Sequence, residues 1–454
     1  MIPDHHKKQD NIKVPKVGVV SLGCPKALVD VERILNQMHA EGYVTVPDYQ
    51  AADIVLVNSC GFIDSAKQET LSSIAEALDE NGRVIVTGCM GADPESILAV
   101  HPNVLAVVGP SDTKGAMQAL HAHLPPAHDP KYDLVPPQGV KLTPQHYAYL
   151  KLSEGCNNHC SFCIIPSFRG RLASRDAAKI LYEAERLVDH GAKELLVISQ
   201  DTGAYGVDLK YRPSNFHDEA VRAHIVDLAS ALGKLDAWIR LHYVYPYPHI
   251  DKLVPLMEDG LILPYLDVPF QHASVKVLKA MRRPADQHKT LERVQAWRNI
   301  CPELTIRSTF IVGFPGEGED EFNELLDWLS AAQLDRVGAF AFEAVDGAPA
   351  SLLEDQVPEE IKQDRLERLM AHQQTISAAR LRKKVGTDVA VIIDEIKPDG
   401  SIIGRTAQDA PEIDGIIHLK TNHSTLYDEQ IAIGQVVAAR VTASDAHDLW
   451  GDIL

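Results

Sequence analysis

The sequence predicts a mixed α/β chain in three parts: an N-terminal α/β domain on a parallel sheet, a central β/α barrel that is partial and TIM-like, and a small antiparallel β-barrel at the C-terminus. Three observations predict it. Short apolar runs alternate with amphipathic helical patterns over residues 16–125, and again from Tyr147 to about Arg382. The stretch 125–146 holds six prolines and no regular periodicity, as a domain boundary does. From residue 383 onward the pattern changes to β-like runs separated by Gly- or Asp-containing turns. At 454 residues the chain is too long for one ordinary core. The expected divisions are 14–125, a linker over 126–146, 147–382 and 383–454.

Taken in order, the N-terminal strands are "KVGVV", "DIVLVN" and "RVIVTG", with helices on "VDVERILNQMHAEG" and "SAKQETLSSIAEALDENG". The central strands are "AYLKL", "ELLVIS", "WIRLHYV", "YLDVPF", "TIRSTFIVG" and "RVGAFAF". Helical stretches such as "RDAAKILYEAERLVDHG" and "DEFNELLDWLSAAQ" separate them, which makes at least six β/α units. A long charged helical pattern follows from Glu359 to about Lys384. The C-terminal strands are "DVAVIIDEI", "IIHL" and "QVVAARVTA".

Composition excludes some classes. No apolar run reaches 18 residues, so no helical membrane span is expected. The opening "MIPDHHKKQDNIK" lacks an apolar core and reads as a frayed tail, not a secretory signal; the expected location is the cytoplasm. A formal net charge of −19 disfavours broad binding to nucleic acid and suits a basic protein partner. Seven cysteines in a long chain argue for metal binding or catalysis rather than a disulfide framework.

Three of them lie in "EGCNNHCSFC", where Cys156, Cys160 and Cys163 follow the spacing C-x3-C-x2-C just after the strand "AYLKL". Barrel enzymes place their chemistry at that end of a strand. Structural zinc takes four closed ligands and would have to recruit one more, with His159 nearest. A ferredoxin-type cluster takes four cysteines, and no fourth lies nearby. Three thiolates leave one iron of a 4Fe–4S cluster open to a non-protein ligand. Here the chain resembles the radical S-adenosylmethionine (SAM) superfamily, in which this motif holds a cluster whose open iron is chelated by SAM. The resemblance places Phe162 beside the SAM adenine.

Cys24, Cys60 and Cys89 each come three or four residues after the last valine of an apolar run. Strands of a parallel sheet point one way, so residues just past their ends share one edge, where open α/β sheets bind ligands. Gly23, Gly61 and Gly88 adjoin the three cysteines and let the backbone approach a bulky group. The set implies a second, auxiliary 4Fe–4S cluster with an exchangeable position, able to hold sulfur. Cys301 has no cysteine neighbours and reads as a buried apolar residue.

Two three-cysteine sets ahead of a terminal β-barrel resemble the methylthiotransferase family over essentially the whole chain. "SLGCPKALVD" (21–30), "NSCGFIDSA" (58–66), "FCIIPSFRGR" (162–171), "LPYLDVPFQHAS" (263–274) and "DAPEIDG" (409–415) are similar to its ribosomal-protein branch. Ala27 and Val31 depart from that branch's usual Asn and Ser. The resemblance implies an N-terminal methylthiotransferase domain, a radical-SAM core and a C-terminal TRAM domain. It implies methylthiolation of the β-carbon of an aspartate in the twelfth protein of the small ribosomal subunit. One SAM would methylate sulfur held at the Cys24, Cys60 and Cys89 cluster. A second SAM, at the Cys156, Cys160 and Cys163 cluster, would give the radical that takes the hydrogen. No general acid–base pair is required for that central step, so no catalytic side chain is assigned.

The expected partners are a basic ribosomal protein, free or within the subunit, an electron donor and a sulfur source. No membrane and no dedicated tRNA binding are expected. Residues 383–454 hold six Lys and Arg against twelve Asp and Glu, whereas a domain that grips tRNA should be basic. Gln200, Asp201, Gln271, His272 and Glu317 sit at strand ends, where they either line the site or shape its loops. The alternatives are a tRNA adenosine methylthiotransferase, a non-catalytic iron–sulfur RNA-binding or interaction protein, and a zinc protein.

Overall fold

The computed structural model describes residues 14–126, 142–420 and 431–454. The expected N-terminal tail and most of the expected linker lie outside them. The described residues fall into two compact units, one within Met1–Leu142 plus Ser167–Arg169, the other within Thr143–Pro166 plus Gly170–Leu454.

The first unit runs β1 (Lys16–Ser21), α1 (Pro25–Ala40), β2 (Val44–Val46), β3 (Ile54–Ser59), α2 (Asp64–Glu80), β4 (Val84–Gly88), α3 (Pro94–Val100), β5 (Ala106–Val107) and α4 (Thr113–His123). Its five strands form a parallel sheet in the order β2-β1-β3-β4-β5. β3 and β4 are buried along their whole length, which explains why "IVLV" and "VIV" are continuous apolar runs and do not alternate. Val31, Ile34, Leu35 and Met38 of α1 pack with α4 on one apolar cluster. Ile74 and Ala77 of α2 join Val55, Val57, Val84 and Val86 in the other. Cys24 caps α1, and Pro25 follows in the first helical position, where its missing N–H costs nothing.

The second unit begins with β6 (Tyr147–Lys151), β7 (Ser153–Glu154), α5 (Ile165–Arg169, whose last turn belongs to the first unit), β8 (Ala173–Ser174), α6 (Ala177–Asp189) and β9 (Glu194–Ile198). A hairpin of β10 (Pro213–Phe216) and β11 (Glu219–Arg222) precedes α7 (Ile225–Leu232) and β12 (Trp238–Leu241). Then come α8 (Leu253–Glu258), β13 (Tyr265–Asp267), α9 (Val275–Ala280), α10 (Gln287–Ile300), β14 (Thr305–Val312), α11 (Glu319–Ala332), β15 (Arg336–Ala341) and α12 (Glu359–Arg382). Six parallel strands in the order β15-β14-β13-β12-β9-β6 make an open sheet, so the β/α barrel is partial. Cys301 is 1% exposed and joins the main apolar core, as expected of a buried apolar residue.

The chain ends in a closed barrel of β16 (Asp388–Ile396), β17 (Ile402–Thr406), β18 (Ile417–Lys420), β19 (Val436–Ser444) and β20 (Leu449–Ile453), ordered β16-β17-β18-β20-β19. The expectation of an antiparallel barrel needs one correction: β18 and β20 run parallel. A closed ring of five strands cannot alternate direction throughout, so at least one neighbouring pair has to be parallel.

The C-terminal barrel docks against the N-terminal ends of the parallel strands. "DAPEIDG" supplies the contacts. Asp409 pairs with Arg336 at the start of β15. Glu412 accepts from the Tyr147 hydroxyl at the start of β6 (2.8 Å), and Asp414 from that of Tyr265 at the start of β13 (2.6 Å). Glu194, fully buried, accepts from Arg240 and from Arg405 of β17, each at 2.7 Å. This leaves the opposite, C-terminal end of the sheet for chemistry.

Candidate functional site

In the first unit, register brings the three cysteines to one edge. Ser21 lies opposite Asn58 and Ser59 opposite Gly88, so β1, β3 and β4 end nearly level. Cys60 and Cys89 follow Ser59 and Gly88 directly, on strands about 4.8 Å apart, and Cys24 follows β1 through Gly23. Gly23 has φ +102°, and a Cβ there would stand 3.4 Å from the Cys60 sulfur. Gly88 has φ +96°, and its Cβ would meet the Ser59 carbonyl at 2.5 Å. A side chain at Gly23 would crowd the Cys60 sulfur, and one at Gly88 would collide with the end of β3. Thr70 of α2 clamps the loop: its Oγ1 accepts from the Cys60 N–H (3.1 Å) and donates to the Cys60 carbonyl (2.8 Å).

Arg169 belongs to this unit. Its guanidinium donates to the Cys89 sulfur (3.4 Å) and to Asp30 Oδ2 (3.1 Å). Burial pushes the Cys89 thiol up; Arg169 opposes this, and the nearby Cys24 and Cys60 add to it. Cys24 is exposed as a residue, and partial desolvation of its sulfur pushes the thiol up. Lys26, the Ala27 and Lys26 N–H groups and Arg169 outweigh that and leave it below the ordinary value.

In the second unit, Cys156, Cys160 and Cys163 occupy the loop between β7 and α5, beyond the C-terminal end of β6. Burial pushes Cys156 up and Cys163 up to about 12. The charge of Cys160 adds to the rise of both. Thiols held this high are neutral when alone and lose their protons on binding a metal. Asn158, inside the loop, donates its N–H to the Cys156 sulfur (3.4 Å) and its side-chain amide to Asp201 (2.7 Å). Tyr247, beyond β12, donates to the same Asp201 oxygen at 2.8 Å. Burial pushes the Asp201 carboxyl above the usual range, against those two hydrogen bonds. Arg283 donates to the Cys160 sulfur at 3.8 Å.

Phe162 is half-buried against Val277, Met281, Phe314, Phe342 and Ala350. Its position is therefore fixed by packing, and the residue keeps partial exposure.

The strand-end polar residues divide. Glu317 braces the loop after β14, accepting from the Gly313 N–H (2.9 Å), the Phe314 N–H (3.3 Å) and Arg365 (3.0 Å). His272 lies 3.3 Å from Glu317, with both side chains fully buried. Gln271 bridges β13 and β14 through its backbone, taking a φ of +74°. Gln200 differs: both ends of its side-chain amide are buried and unpartnered among the described residues. Such an amide is costly unless a ligand completes it.

Among the described residues no three His, Cys, Asp or Glu side chains stand close enough to chelate a single ion. A four-iron cluster takes one thiolate per iron and does not require that.

Residues 150–329 match the radical SAM superfamily, 16–109 the uncharacterized protein family UPF0004, and 385–454 the TRAM domain. The fold is similar to that of the radical SAM methyltransferase TsrM from Kitasatospora setae, at a TM-score of 0.53 and 14% identity, covering 75% of this chain and 77% of that one. The matches define a radical SAM enzyme whose core match is preceded along the chain by the UPF0004 match and followed by the TRAM match.

The ribosomal protein uS12 methylthiotransferase RimO of Stutzerimonas stutzeri is 60% identical over 97% of this chain and 100% of its own length. That of Marinobacter nauticus is 59% identical over 99% and 97%. The chain belongs to the RimO family of ribosomal protein uS12 methylthiotransferases.

Proposed function

We infer that this chain transfers a methylthio group to ribosomal protein uS12 by radical SAM chemistry, as the names of its relatives state for them. The finer reading is that the target is an aspartate β-carbon and that two 4Fe–4S clusters take part. Cys156, Cys160 and Cys163 would hold one, and Cys24, Cys60 and Cys89 the other. The observation that supports it is the placement of a three-cysteine set just past the C-terminal ends of parallel strands, once in each unit. When bound, the first cluster supplies the electron that cleaves SAM, and the second offers an open iron to sulfur.

The chain's own residues do the rest. Asp201 and Tyr247 fix the cysteine loop through Asn158, so the thiolates meet the cluster preorganised. Phe162 would lie beside the adenine, and Gln200 would complete its amide on SAM or substrate. Glu317, His272 and Arg365 hold the rim rigid. The domain divisions given above follow the same reading.

The acidic C-terminal barrel supports a basic protein as substrate. Of its arginines, Arg405 is buried against Glu194 and Asp394, and Arg440 is paired with Asp388. Few cations are left to neutralise phosphates. An electron donor and a sulfur source are required as partners. No helix among the described residues is long and apolar enough to cross a membrane.

The test is incubation of the reconstituted enzyme with SAM, sulfide and a one-electron reductant on uS12 and on unmodified tRNA. A methylthio group on an aspartate of uS12, located by mass spectrometry, is expected. Methylthio on tRNA adenosine with none on uS12 would overturn the reading.

A further inference from the structure

Arg283 follows α9 and is 8% exposed. Its Nη1 donates to the Cys160 sulfur at 3.8 Å, and its Nη2 donates to the Pro269 carbonyl. Its guanidinium carbon stands 4.0 Å over the Tyr245 ring. The Nε–H is buried and has no partner among the described residues. No carboxylate stands within ion-pair distance of it there. The carboxylate whose charge it does feel is Asp201, and that group already accepts from Asn158, Tyr247 and the Ala204 N–H. A buried guanidinium with one unfilled donor and no counter-anion is unfavourable by itself. The contrast with Arg169 sharpens the point. That arginine also donates to a cysteine sulfur, but Asp30 neutralises it.

A four-iron core carrying three thiolates is an anion, and gains a further negative charge on reduction. An uncompensated cation against one thiolate favours the more negative state. It therefore raises the reduction potential, in the way that charge and hydrogen bonds to sulfur tune such clusters. We propose that Arg283 is the buried counter-cation of the cluster held by Cys156, Cys160 and Cys163, and that it sets the potential at which that cluster accepts an electron. Tyr245 and the Pro269 carbonyl hold the guanidinium in place. The inference rests on the ligand assignment above. Arg283 is a positioning and tuning residue and takes no part in bond making.

The experiment uses the full chain carrying Cys24→Ala, Cys60→Ala and Cys89→Ala, so that one cluster gives the signal. Its midpoint is read by electron paramagnetic resonance during a reductive titration without SAM. Arg283→Gln is expected to titrate at a more negative potential than the parent. Arg283→Lys, which keeps the charge and loses the planar fork, is expected to fall between the two. If Arg283→Gln loads no iron, Arg283→Lys carries the comparison. Both variants titrating with the parent would overturn the proposal. So would Arg283→Lys falling as far as Arg283→Gln, because charge would then not be the operative feature. Weaker SAM binding at an unchanged potential would also overturn it, by giving Arg283 to the SAM carboxylate. Iron analysis separates the two readings. A parent chain that binds no iron sinks the ligand assignment and the proposal with it. A loaded cluster at an unshifted potential sinks the Arg283 role alone.

Discussion

Replacing Glu194 by Gln removes one negative charge from the contact that fastens the C-terminal barrel to the parallel strands, and leaves the shape unchanged. The carboxylate is fully buried and accepts from Arg240 Nε and Arg405 Nη1, each at 2.7 Å. Burial pushes its pKa up, but the two arginines outweigh that and hold it below the usual range. Charge centres about 4 Å apart attract by about 4 kcal/mol at an effective dielectric near 20. Desolvation offsets much of this, yet removing one partner from a buried pair costs about 3–5 kcal/mol, because the other charge stays buried. Arg405 keeps Asp394, and Arg240 keeps the Ala407 carbonyl, which puts the cost near the lower figure. With m about 3 kcal/mol/M, the urea midpoint should fall by about 1 M. All four tryptophans, Trp238, Trp297, Trp328 and Trp450, lie in the second unit, so their fluorescence reports its unfolding alone. A midpoint shift under about 0.3 M would refute the reasoning, since it corresponds to less than about 1 kcal/mol.

Two further outcomes follow from single groups. Asp267 is buried, which pushes its carboxyl up, but the hydrogen bond from His242 and the charge of Arg307 lower it to about 2. A depressed carboxyl stabilises the fold above its unfolded value near 3.9 and loses that contribution as pH falls through 2. Tryptophan-monitored stability of the second unit should therefore drop by about 2–3 kcal/mol over that window, and Asp267→Asn should flatten the drop; an unchanged profile would contradict the assignment. Gln200→Ala should leave the unfolding free energy of the second unit within about 0.5 kcal/mol, because the amide has no partner to lose among the described residues. It should lower methylthio transfer at least several-fold. Unchanged turnover would mean that the amide meets water and not a ligand.

Much of this architecture was legible because the informative elements are long or chemically unusual. The six central strands, written as apolar runs, all appear in one parallel sheet. The strands that escaped are short or polar. β2 has three residues and β5 two, too few to show a period. "IIGRT" and "LWGDI" interrupt their apolar residues with Gly and charge, because Arg405 and Asp452 lie within them. The β10–β11 hairpin is polar and mostly exposed, so no burial pattern marks it.

The site divides in the same way. Cysteine is rare and its spacing carries the signal, so six residues could be singled out in advance. Asn158, Tyr247 and Arg283 come from three separate segments and meet only when the sheet curves. A single polar residue in a loop has no periodicity to betray it. The position of Asn158 inside the cysteine loop was the one available clue. Strand-end placement left two roles open: Glu317 and His272 take the loop-bracing one, and the amide of Gln200 is buried without a partner among the described residues.

The central claim is that the two cysteine sets hold separate clusters with separate duties, and one measurement bears on it directly. Iron and acid-labile sulfide are quantified in the reconstituted chain and in the variant Cys24→Ala, Cys60→Ala, Cys89→Ala, with 5′-deoxyadenosine and methylthio product measured on the same samples. The account predicts a fall from about eight to about four irons per chain, retained SAM cleavage and no methylthiolated uS12. Undiminished iron, or methylthio product from the triple variant, would contradict it.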